Sequence, residues 1–344
     1  MSAIEISVVV PVYNAAAYLM ETLDALDRQS FRDYEVILVD DGSTDGSAAL
    51  MDDYCAAHDR FLAVHTENGG EHRARLAGIK KARGRYLAFC DSDDLPLPDM
   101  LQKLYARAEE TGADITVCGF AREEMDTGRV LSREMTVFEP RGYAFPELWD
   151  MLPIVNPAFW NKLFRRELLA HALPLANPPR VAPDLMFCSS LYPFVGTMAF
   201  VPEVLYRYRV RPGSAIASVS AADAALAREN MELVRDHALQ HADSPELRQY
   251  YADLAFIHFG WALLIRQVKG SLRSRAAVRT CRQWLNDQFA DYRKAGKGLL
   301  WNLKHHMLQV RVLIGRWIFC AHLMGPFLIF YNVVTQNLKI EIKW

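Results

Sequence analysis

The first 120 residues alternate apolar segments with segments of helical character, and this alternation limits the fold more than any other feature. Helix-like stretches begin near Ala17, Thr44, Glu71 and Pro98. The β-branched apolar runs between them are Ile6 to Val10, Tyr34 to Val39, Phe61 to Val64, Arg85 to Cys90 and Asp114 to Phe120. Strands that alternate with helices predict an α/β fold with a central, mostly parallel sheet.

Polar sequences follow three of the predicted strands, at the carboxyl ends where such sheets bind ligands. They are Pro11-Val12-Tyr13-Asn14, Asp40 to Asp45, and Asp91-Ser92-Asp93-Asp94. The last is a carboxylate cluster that suits a divalent cation and a phosphate-bearing ligand. A plain turn is the alternative, because Asp and Ser form turns and Pro96 and Pro98 follow.

The segment from Asp40 to Ser47 has two interpretations. Ser43, Thr44 or Asp45 could cap the next helix. Capping leaves Asp40 and Asp41 without a role, and one of them could accept hydrogen bonds from a base or ribose.

A glycine pair, Gly69-Gly70, precedes the third predicted helix. Glycines at a helix N-terminus allow close approach to phosphates, and Arg73 and Arg75 could add positive charge. A solvated helix start with surface arginines is the alternative.

Cysteine usage and the N-terminal sequence point to the cytoplasm. The six cysteines form no CxxC pair and no zinc-like spacing, so we expect reduced thiols. No basic segment followed by an apolar stretch opens the sequence, so no signal peptide is expected. The 344 residues, 51% of them hydrophobic, are enough to build a substantial core.

Positive charge is concentrated at the C-terminal end. From Arg266 onward there are fourteen Lys and Arg against three acidic residues, a net charge of +11, whereas the preceding residues carry −13. A basic tail is suited to an anionic partner. Nucleic acid is not expected, because no base-stacking module or nucleic-acid motif accompanies the charge.

Together, the motifs resemble the family 2 glycosyltransferases, whose catalytic domain has the GT-A fold. The resemblance rests on VVVPVYN, ILVDDGSTDGS, an NGG-containing loop and GRYLAFCDSDD, in that order, with further pieces to about residue 215. It implies that Asp93, with Asp91, holds a Mg²⁺ or Mn²⁺ ion that bridges the diphosphate of a nucleotide-sugar. The other donor-binding residues that it implies are Pro11, Tyr13, Asp40, Asp41, Arg73, Arg75 and Ser92.

The same resemblance predicts the catalytic base. The family carries it in a Glu-Asp pair before a short helix, after a segment like Trp160 to Arg166. Asp184 matches the Asp of that pair, while Pro183 replaces the Glu and Leu76 replaces an Asn that often follows the matched Arg75. Asp184 also has a structural explanation as an acidic residue at a helix N-terminus. Candidate acceptor contacts are Trp160, Asn161 and Lys162.

A predicted strand from Val204 to Tyr208 leads into Arg209-Val210-Arg211-Pro212-Gly213-Ser214. A similar segment in the family is a mobile loop that closes over the donor, which implies donor contacts for Arg209, Arg211 and Ser214. Arginines suit phosphate oxygens. A hairpin end with solvated arginines is the alternative.

Helix formers dominate after the predicted catalytic domain of residues 1–215. A helical region is predicted for residues 216–297, with helices over Ala221 to Gln240, Glu246 to Val268 and Arg273 to about Ala295. Residues 298–344 are predicted to associate with a membrane. On a helical wheel, Lys297, Lys304, Arg311 and His322 lie opposite Leu299, Val310, Leu313, Trp317 and Met324.

This basic amphipathic helix leads into the apolar run Trp317 to Val334, which is borderline for a spanning helix and contains a proline. We expect it to lie in or dip into the inner leaflet, with an ordinary core helix as the alternative.

The predicted function is therefore a metal-dependent inverting glycosyltransferase at the cytoplasmic face of the membrane. It would move a sugar from a nucleotide donor, a UDP-sugar, to a hydroxyl of a lipid-linked or cell-surface glycan. Two alternatives remain: a nucleotide-sugar-binding module that has lost turnover, and a nucleotidyltransferase with a related metal and nucleotide site. The sequence predicts no oligomeric state.

Overall fold

The computed structural model describes residues 4–211, 219–268, 275–294 and 307–328. The chain divides into two compact units. The first contains Met1–Phe145, Asn156–Ala172 and Phe194–Pro212, and the second contains Pro146–Val155, Leu173–Pro193 and Gly213–Trp344. The chain thus leaves the first unit and returns to it twice before residue 212. The predicted functional boundaries at 215 and 297 stay predictions.

A mixed sheet forms the centre of the first unit and confirms the predicted α/β fold. Its neighbouring strands follow the order β3-β2-β1-β4-β9-β6-β10-β5, with β7 paired to β6 and β8 to β10. The strands β1 to β4 are parallel, β6 is parallel to β10, and β9 is antiparallel to both β4 and β6. The strands are β1 Ile6–Val12, β2 Tyr34–Asp40, β3 Phe61–His65, β4 Tyr86–Phe89, β5 Leu95–Pro96, β6 Ile115–Glu124, β7 Val130–Glu134, β8 Gly142–Ala144, β9 Lys162–Arg165 and β10 Thr197–Val210.

Four helices alternate with these strands, close to the predicted positions. Every residue of β1 and β2 is buried, as expected for parallel strands covered on both faces. Gly78 allows close packing on β1, since a Cβ there would lie 2.3 Å from Cγ1 of Val9. The helices are α1 Leu19–Asp27, α2 Ser47–Ala57, α3 Glu71–Lys81 and α4 Met100–Thr111, and a 3₁₀ helix covers Arg166–His171.

The second unit is helical, which confirms the predicted helical character after residue 220. Its longest described helix, α7, begins with a capping box in which Ser220 and Asp223 each accept the other's backbone N–H. The helices are α5 Leu148–Met151, α6 Pro183–Leu191, α7 Ala221–His241, α8 Pro245–Leu254, α9 Leu264–Val268, α10 Arg275–Gln288 and α11 Met307–Cys320. A π-helical segment, Ala255–Leu263, joins α8 to α9, and 3₁₀ helices cover Leu152–Ile154, Tyr192–Phe194 and Ala290–Arg293.

The predicted amphipathic helix does not continue unbroken into the apolar run Trp317 to Val334, of which the structure describes residues up to 328. The helix α11 ends at Cys320, and His322 has a left-handed backbone with φ of 61° before a short helical segment at 324–328. The predicted placement of Trp317 and Met324 on one side of a single helix is also wrong, because Trp317 is exposed whereas Met324 is buried. Lys297, Leu299 and Lys304 lie outside the described residues. Across the described parts of the chain, no helix has the length and apolar character needed to cross a membrane.

Candidate active site

The acidic loop, residues 91–94, follows β4 directly and is held by α1 and β10. The hydroxyl of Thr22 donates to the backbone oxygens of Ser92, at 3.1 Å, and Asp94, at 2.9 Å. The backbone N–H of Asp91 donates to the hydroxyl of Tyr206 at 3.2 Å. Hydrogen bonds from two other elements therefore fix the loop that the sequence predicts to bind metal.

Asp94 is the structural centre of this loop. Its side chain is fully buried and accepts the Tyr206 hydroxyl at 2.9 Å and the backbone N–H of Arg209 at 2.8 Å. Burial raises the pKa of Asp94 well above its usual range, and the charges of Asp91 and Asp93 raise it further. Asp94 thus ties the acidic loop to the end of β10.

Asp93 contacts Arg209 and Arg211, but Arg209 lies buried in β10 rather than in the predicted loop, because the strand continues to Val210. Its carboxylate forms a 2.8 Å ion pair with Arg211, and its backbone oxygen accepts from Nε of Arg209, which also pairs with Glu21. Burial raises the pKa of the Asp93 carboxyl, although Arg211 and Arg209 act in the opposite direction. Nη2 of Arg209 is buried and has no hydrogen-bond partner within the described part of the chain. A buried donor of this kind suits a phosphate oxygen.

Asp91 faces α3. Nη2 of Arg75 lies 3.3 Å from Oδ1 of Asp91 and also contacts Glu71, and the guanidinium carbon lies 4.3 Å from the ring centroid of Phe159. Arg75 is buried, so its charge acts on Asp91 rather than in solvent. The side chain of Arg73 is exposed, and its stem packs against Gly69, where a Cβ would lie 2.7 Å from Cδ.

The two aspartates at the end of β2 have hydrogen-bond partners that the sequence did not predict. Asp41 accepts the backbone N–H groups of Gly69 and Gly70, both at 2.8 Å, and therefore holds the glycine pair in place. Each carboxylate oxygen can still accept a second bond. Asp40 accepts the Ser43 N–H at 2.9 Å and contacts Nδ1 of His65 at 3.2 Å. Burial opposes ionisation of Asp40, but these hydrogen bonds lower its pKa.

The end of β1 presents Tyr13. Pro11 is buried in β1, whereas Tyr13 is 53% exposed. The next residue, Asn14, has a left-handed backbone, and its side-chain oxygen accepts the N–H of Thr44 at 2.8 Å. The polar ends of β1 and β2 are therefore joined, and an exposed aromatic ring lies beside them.

The three candidate acceptor residues lie in the interior of the first unit. The Trp160 ring stacks on Tyr206 and Tyr208 at centroid distances of 4.7 and 5.2 Å. Asn161 donates to the backbone oxygen of Cys118, and Nζ of Lys162 donates to the backbone oxygen of Ala158 at 2.7 Å. All three are buried, so their observed contacts are with the protein core. Their role towards an acceptor remains a prediction.

The predicted base belongs to the second unit. Asp184 is half-buried in the first turn of α6, where Pro183 is the first helical residue and Ala182 has φ of 56°. Proline fits this position because its missing N–H would be unpaired there in any helix. Ser214 lies outside the described residues.

The sequence analysis missed Thr22, Asp94, Glu71 and Tyr206 as residues that shape the site. One signal was present for Thr22, because it is a polar residue among Leu19, Leu23 and Leu26 on the apolar face of α1. For Asp94 and Tyr206, the decisive contacts join residues far apart in the chain. Glu71 contacts Arg75 one helical turn away, a spacing that the sequence does show.

The donor set fits a hard cation. Among the residues that the structure describes, no group of three or more His, Cys, Asp or Glu is arranged to hold a metal ion. Mg²⁺ and similar ions often use one or two carboxylates and take further ligands from substrate phosphates. Asp91 and Asp93 offer such a pair, and basic side chains for phosphates lie beside them.

Comparison with known proteins identifies the family of this chain. The sequence pattern described as Glycosyl transferase family 2 matches residues 7–173. The uncharacterized glycosyltransferase EpsJ of Bacillus subtilis (strain 168) is 32% identical over 287 residues, which cover 81% of this chain and 76% of EpsJ. The chain belongs to glycosyltransferase family 2.

Two further similarities place this glycosyltransferase among its relatives. The succinoglycan biosynthesis protein ExoO of Rhizobium meliloti (strain 1021) is 28% identical over 294 residues, covering 79% of this chain and 81% of ExoO. The crystal structure of residues 1–349 of S. aureus TarS in complex with UDP-GlcNAc superposes with a TM-score of 0.67 at 22% identity, covering 84% of this chain and 83% of that one. The TarS similarity shows the shared fold.

Proposed function

We propose that this family 2 glycosyltransferase is a metal-dependent, inverting enzyme that uses a UDP-sugar. The observation that carries the proposal is the pair of carboxylates after β4, each of which meets an arginine. Asp91 contacts Arg75, and Asp93 contacts Arg211. A site that binds a cation and a diphosphate together needs this mixture of charges.

Asp93 and Asp91 would hold Mg²⁺ or Mn²⁺, which when bound stabilises the charge that develops on the departing diphosphate. Arg209 and Arg211 would bind its phosphate oxygens. The buried, unsatisfied Nη2 of Arg209 supports this role. Ser92, Arg73 and Ser214 are proposed donor contacts on sequence resemblance alone.

The nucleoside would bind at the ends of β1 and β2. The exposed ring of Tyr13 offers a surface for a base, beside Pro11. Asp41 keeps free acceptor capacity for a base N–H while it holds Gly69 and Gly70. Asp40 is fixed by Ser43 and His65 and would support Asp41.

Asp184 would be the general base. It would take the proton of the acceptor hydroxyl as that oxygen bonds to the anomeric carbon, while the bond from this carbon to the diphosphate oxygen breaks on the opposite face. Pro183 has no side-chain acceptor, so we expect the proton to pass to Asp184 alone. Asp184 lies in the first turn of α6, where the helix dipole attracts a carboxylate.

The acceptor is proposed to be a hydroxyl of a lipid-linked or cell-surface glycan at the cytoplasmic face of the membrane. The similarity to ExoO, named for succinoglycan biosynthesis, supports a glycan acceptor. The excess of basic residues after residue 265 supports an anionic surface nearby. An enzyme held at that surface would meet lipid-linked acceptors at a raised local concentration.

A panel of nucleotide-sugars tests the proposal. Release of nucleoside diphosphate would be followed with Mn²⁺ and with a chelator, and we expect release from a UDP-sugar with the metal only. Donor binding without any release, with or without glycan acceptors, would contradict it in favour of a binding module. Pyrophosphate formed from a nucleoside triphosphate and a sugar phosphate would contradict it in favour of a nucleotidyltransferase.

A further inference from the structure

The outward face of α11 is apolar over residues 314–318. Trp317 is 65% exposed and Ile314 is 52% exposed, with half-buried Ile318 beside them. These residues are spaced as i, i+3 and i+4, so they share one face of the helix. The exposed Leu323 follows the end of the helix. Large apolar side chains grouped on an exposed helix face are typical of an interaction surface.

The opposite face of α11 fixes the rotation of the helix. Arg316 is buried and lies 2.7 Å from Asp253 of α8, and Phe319 packs edge-on against Phe256. Gly315 lies against Trp261, where a Cβ would be 2.8 Å from a ring carbon. Because a buried ion pair and close packing hold this side, Ile314 and Trp317 cannot turn inward without breaking them.

A basic stripe lies on α10 of the same unit. Arg275, Arg279 and Arg282 are spaced as i, i+4 and i+7 on α10, and the first two are exposed. Nη2 of Arg282 donates to the backbone oxygen of Phe319 at 2.8 Å, which brings the stripe to the C-terminal end of α11. Across residues 275–294 and 307–328, seven Arg and Lys occur with only two Asp.

We propose that the face of Ile314, Trp317 and Ile318, with the arginine stripe of α10, docks on the surface of an anionic lipid bilayer. Exposed Trp and Ile side chains would enter the boundary between headgroups and acyl chains, while arginines contact lipid phosphates. Charge complementarity favours a bilayer over a second copy of this chain, since two copies would bring their arginine stripes together. The proposal rests on the proposed function at the membrane face and names the surface responsible.

The test is cosedimentation of the full chain with vesicles of phosphatidylcholine, alone or mixed with phosphatidylglycerol. We expect binding to the mixed vesicles that weakens as salt is raised. The double variant Ile314→Ser/Trp317→Ser should bind about tenfold more weakly, since both side chains leave the interface. Leu233→Ser is the matched control, because Leu233 is 56% exposed on α7 of the same unit, and it should bind like the wild type.

A second variant tests the charge without changing the apolar face. Arg275→Glu/Arg279→Glu should lower binding to mixed vesicles and remove its salt dependence, while both side chains are exposed and tolerate the change. Equal binding by the wild type and the Ile314/Trp317 variant would overturn the proposal. The proposal would also be overturned if the wild type is a dimer in solution and the Ile314/Trp317 variant is a monomer.

Donor hydrolysis would be measured on the same samples without vesicles. Loss of vesicle binding with normal hydrolysis would count against this surface alone. If the wild type does not hydrolyse the donor, the proposed function is contradicted, whatever the vesicle result.

Discussion

Nη2 of Arg211 lies 2.8 Å from the carboxylate of Asp93, so the residue proposed to close over the donor pairs with the residue proposed to hold the cation. The guanidinium of Arg211 also lies 5.4 Å from the ring centroid of Tyr18. In this arrangement Arg211 balances the charge of a carboxylate that burial would otherwise destabilise. A cation that binds Asp93 must therefore compete with Arg211.

Arg211→Ala should separate metal binding from turnover. In the absence of donor, we expect the affinity for Mn²⁺ to rise roughly threefold, because the guanidinium that competes for Asp93 is gone. Turnover with donor should fall about 100-fold, because a diphosphate contact is lost. Titration calorimetry with Mn²⁺ and a nucleotide-release assay measure the two effects. Arg207→Ala is the control, since Arg207 pairs with Glu123 instead, and weaker Mn²⁺ binding by Arg211→Ala would contradict the competition.

Replacement of Asp94 by Asn should destabilise the fold less than its replacement by Ala. Its side chain accepts from Tyr206 and from the Arg209 backbone, and burial raises its pKa, so a neutral side chain suits this position. We expect Asp94→Asn to change the free energy of unfolding by less than about 1 kcal/mol, and Asp94→Ala to lower it by about 2–3 kcal/mol through unsatisfied buried groups. Denaturant unfolding measures both. Equal losses in the two variants would show that Asp94 acts as a charge.

His65 should make a small pH-dependent contribution to stability. Hydrogen bonds to Asp52, at 3.0 Å, and Asp40, at 3.2 Å, raise its pKa above the usual 6.5. The stabilisation should be fully present below pH 6.5 and lost as pH rises through the raised pKa of the folded state. Since the pair is partly exposed, its size should stay below about 1 kcal/mol.

NMR titration of the His65 ring tests this directly. Asp52→Asn should lower the pKa of His65 towards its ordinary value, because the hydrogen bond that raises this pKa most is lost. Asp53→Asn is the control, since Asp53 is exposed and the ring nitrogens of His65 contact Asp40 and Asp52 instead. An unchanged His65 pKa in Asp52→Asn would contradict the assignment.

Asp184→Asn should slow transfer strongly and leave donor binding intact. The amide cannot take a proton from the acceptor hydroxyl, so we expect the transfer rate to fall by about 100-fold or more. Glu167→Gln, which changes an exposed carboxylate, should behave like the wild type. Transfer assays and donor titrations measure the two properties. A normal transfer rate in Asp184→Asn would exclude it as the base.

The sequence predicts most of the sheet because its signals are local. β1 to β4 are short apolar runs between helical segments, and each strand pairs with neighbours as βα units require. The antiparallel β9 is different. It lies between β4 and β6, although about 70 residues separate it from β4 in sequence, and no local pattern specifies such a pairing.

The sequence predicts which strand ends form the site, but it does not predict the hydrogen bonds that connect them. Periodicity brings Asp41 and Asp93 to one edge of the sheet, whereas the bonds from Gly69 and Gly70 to Asp41 depend on the path of a loop. The C-terminal helix shows the same limit. Arg316 has the charge of a surface residue, but its pairing with Asp253 buries it and turns Trp317 outward.

The most direct test of the central claim is the Mn²⁺ dependence of nucleotide release by Asp93→Ala. With a UDP-sugar donor, the account predicts metal-dependent UDP release by the wild type and a loss of about 10³-fold in Asp93→Ala. Asp126→Ala, which removes an exposed carboxylate of the same unit, should keep the wild-type rate and metal dependence. Full metal-dependent activity in Asp93→Ala would contradict the account.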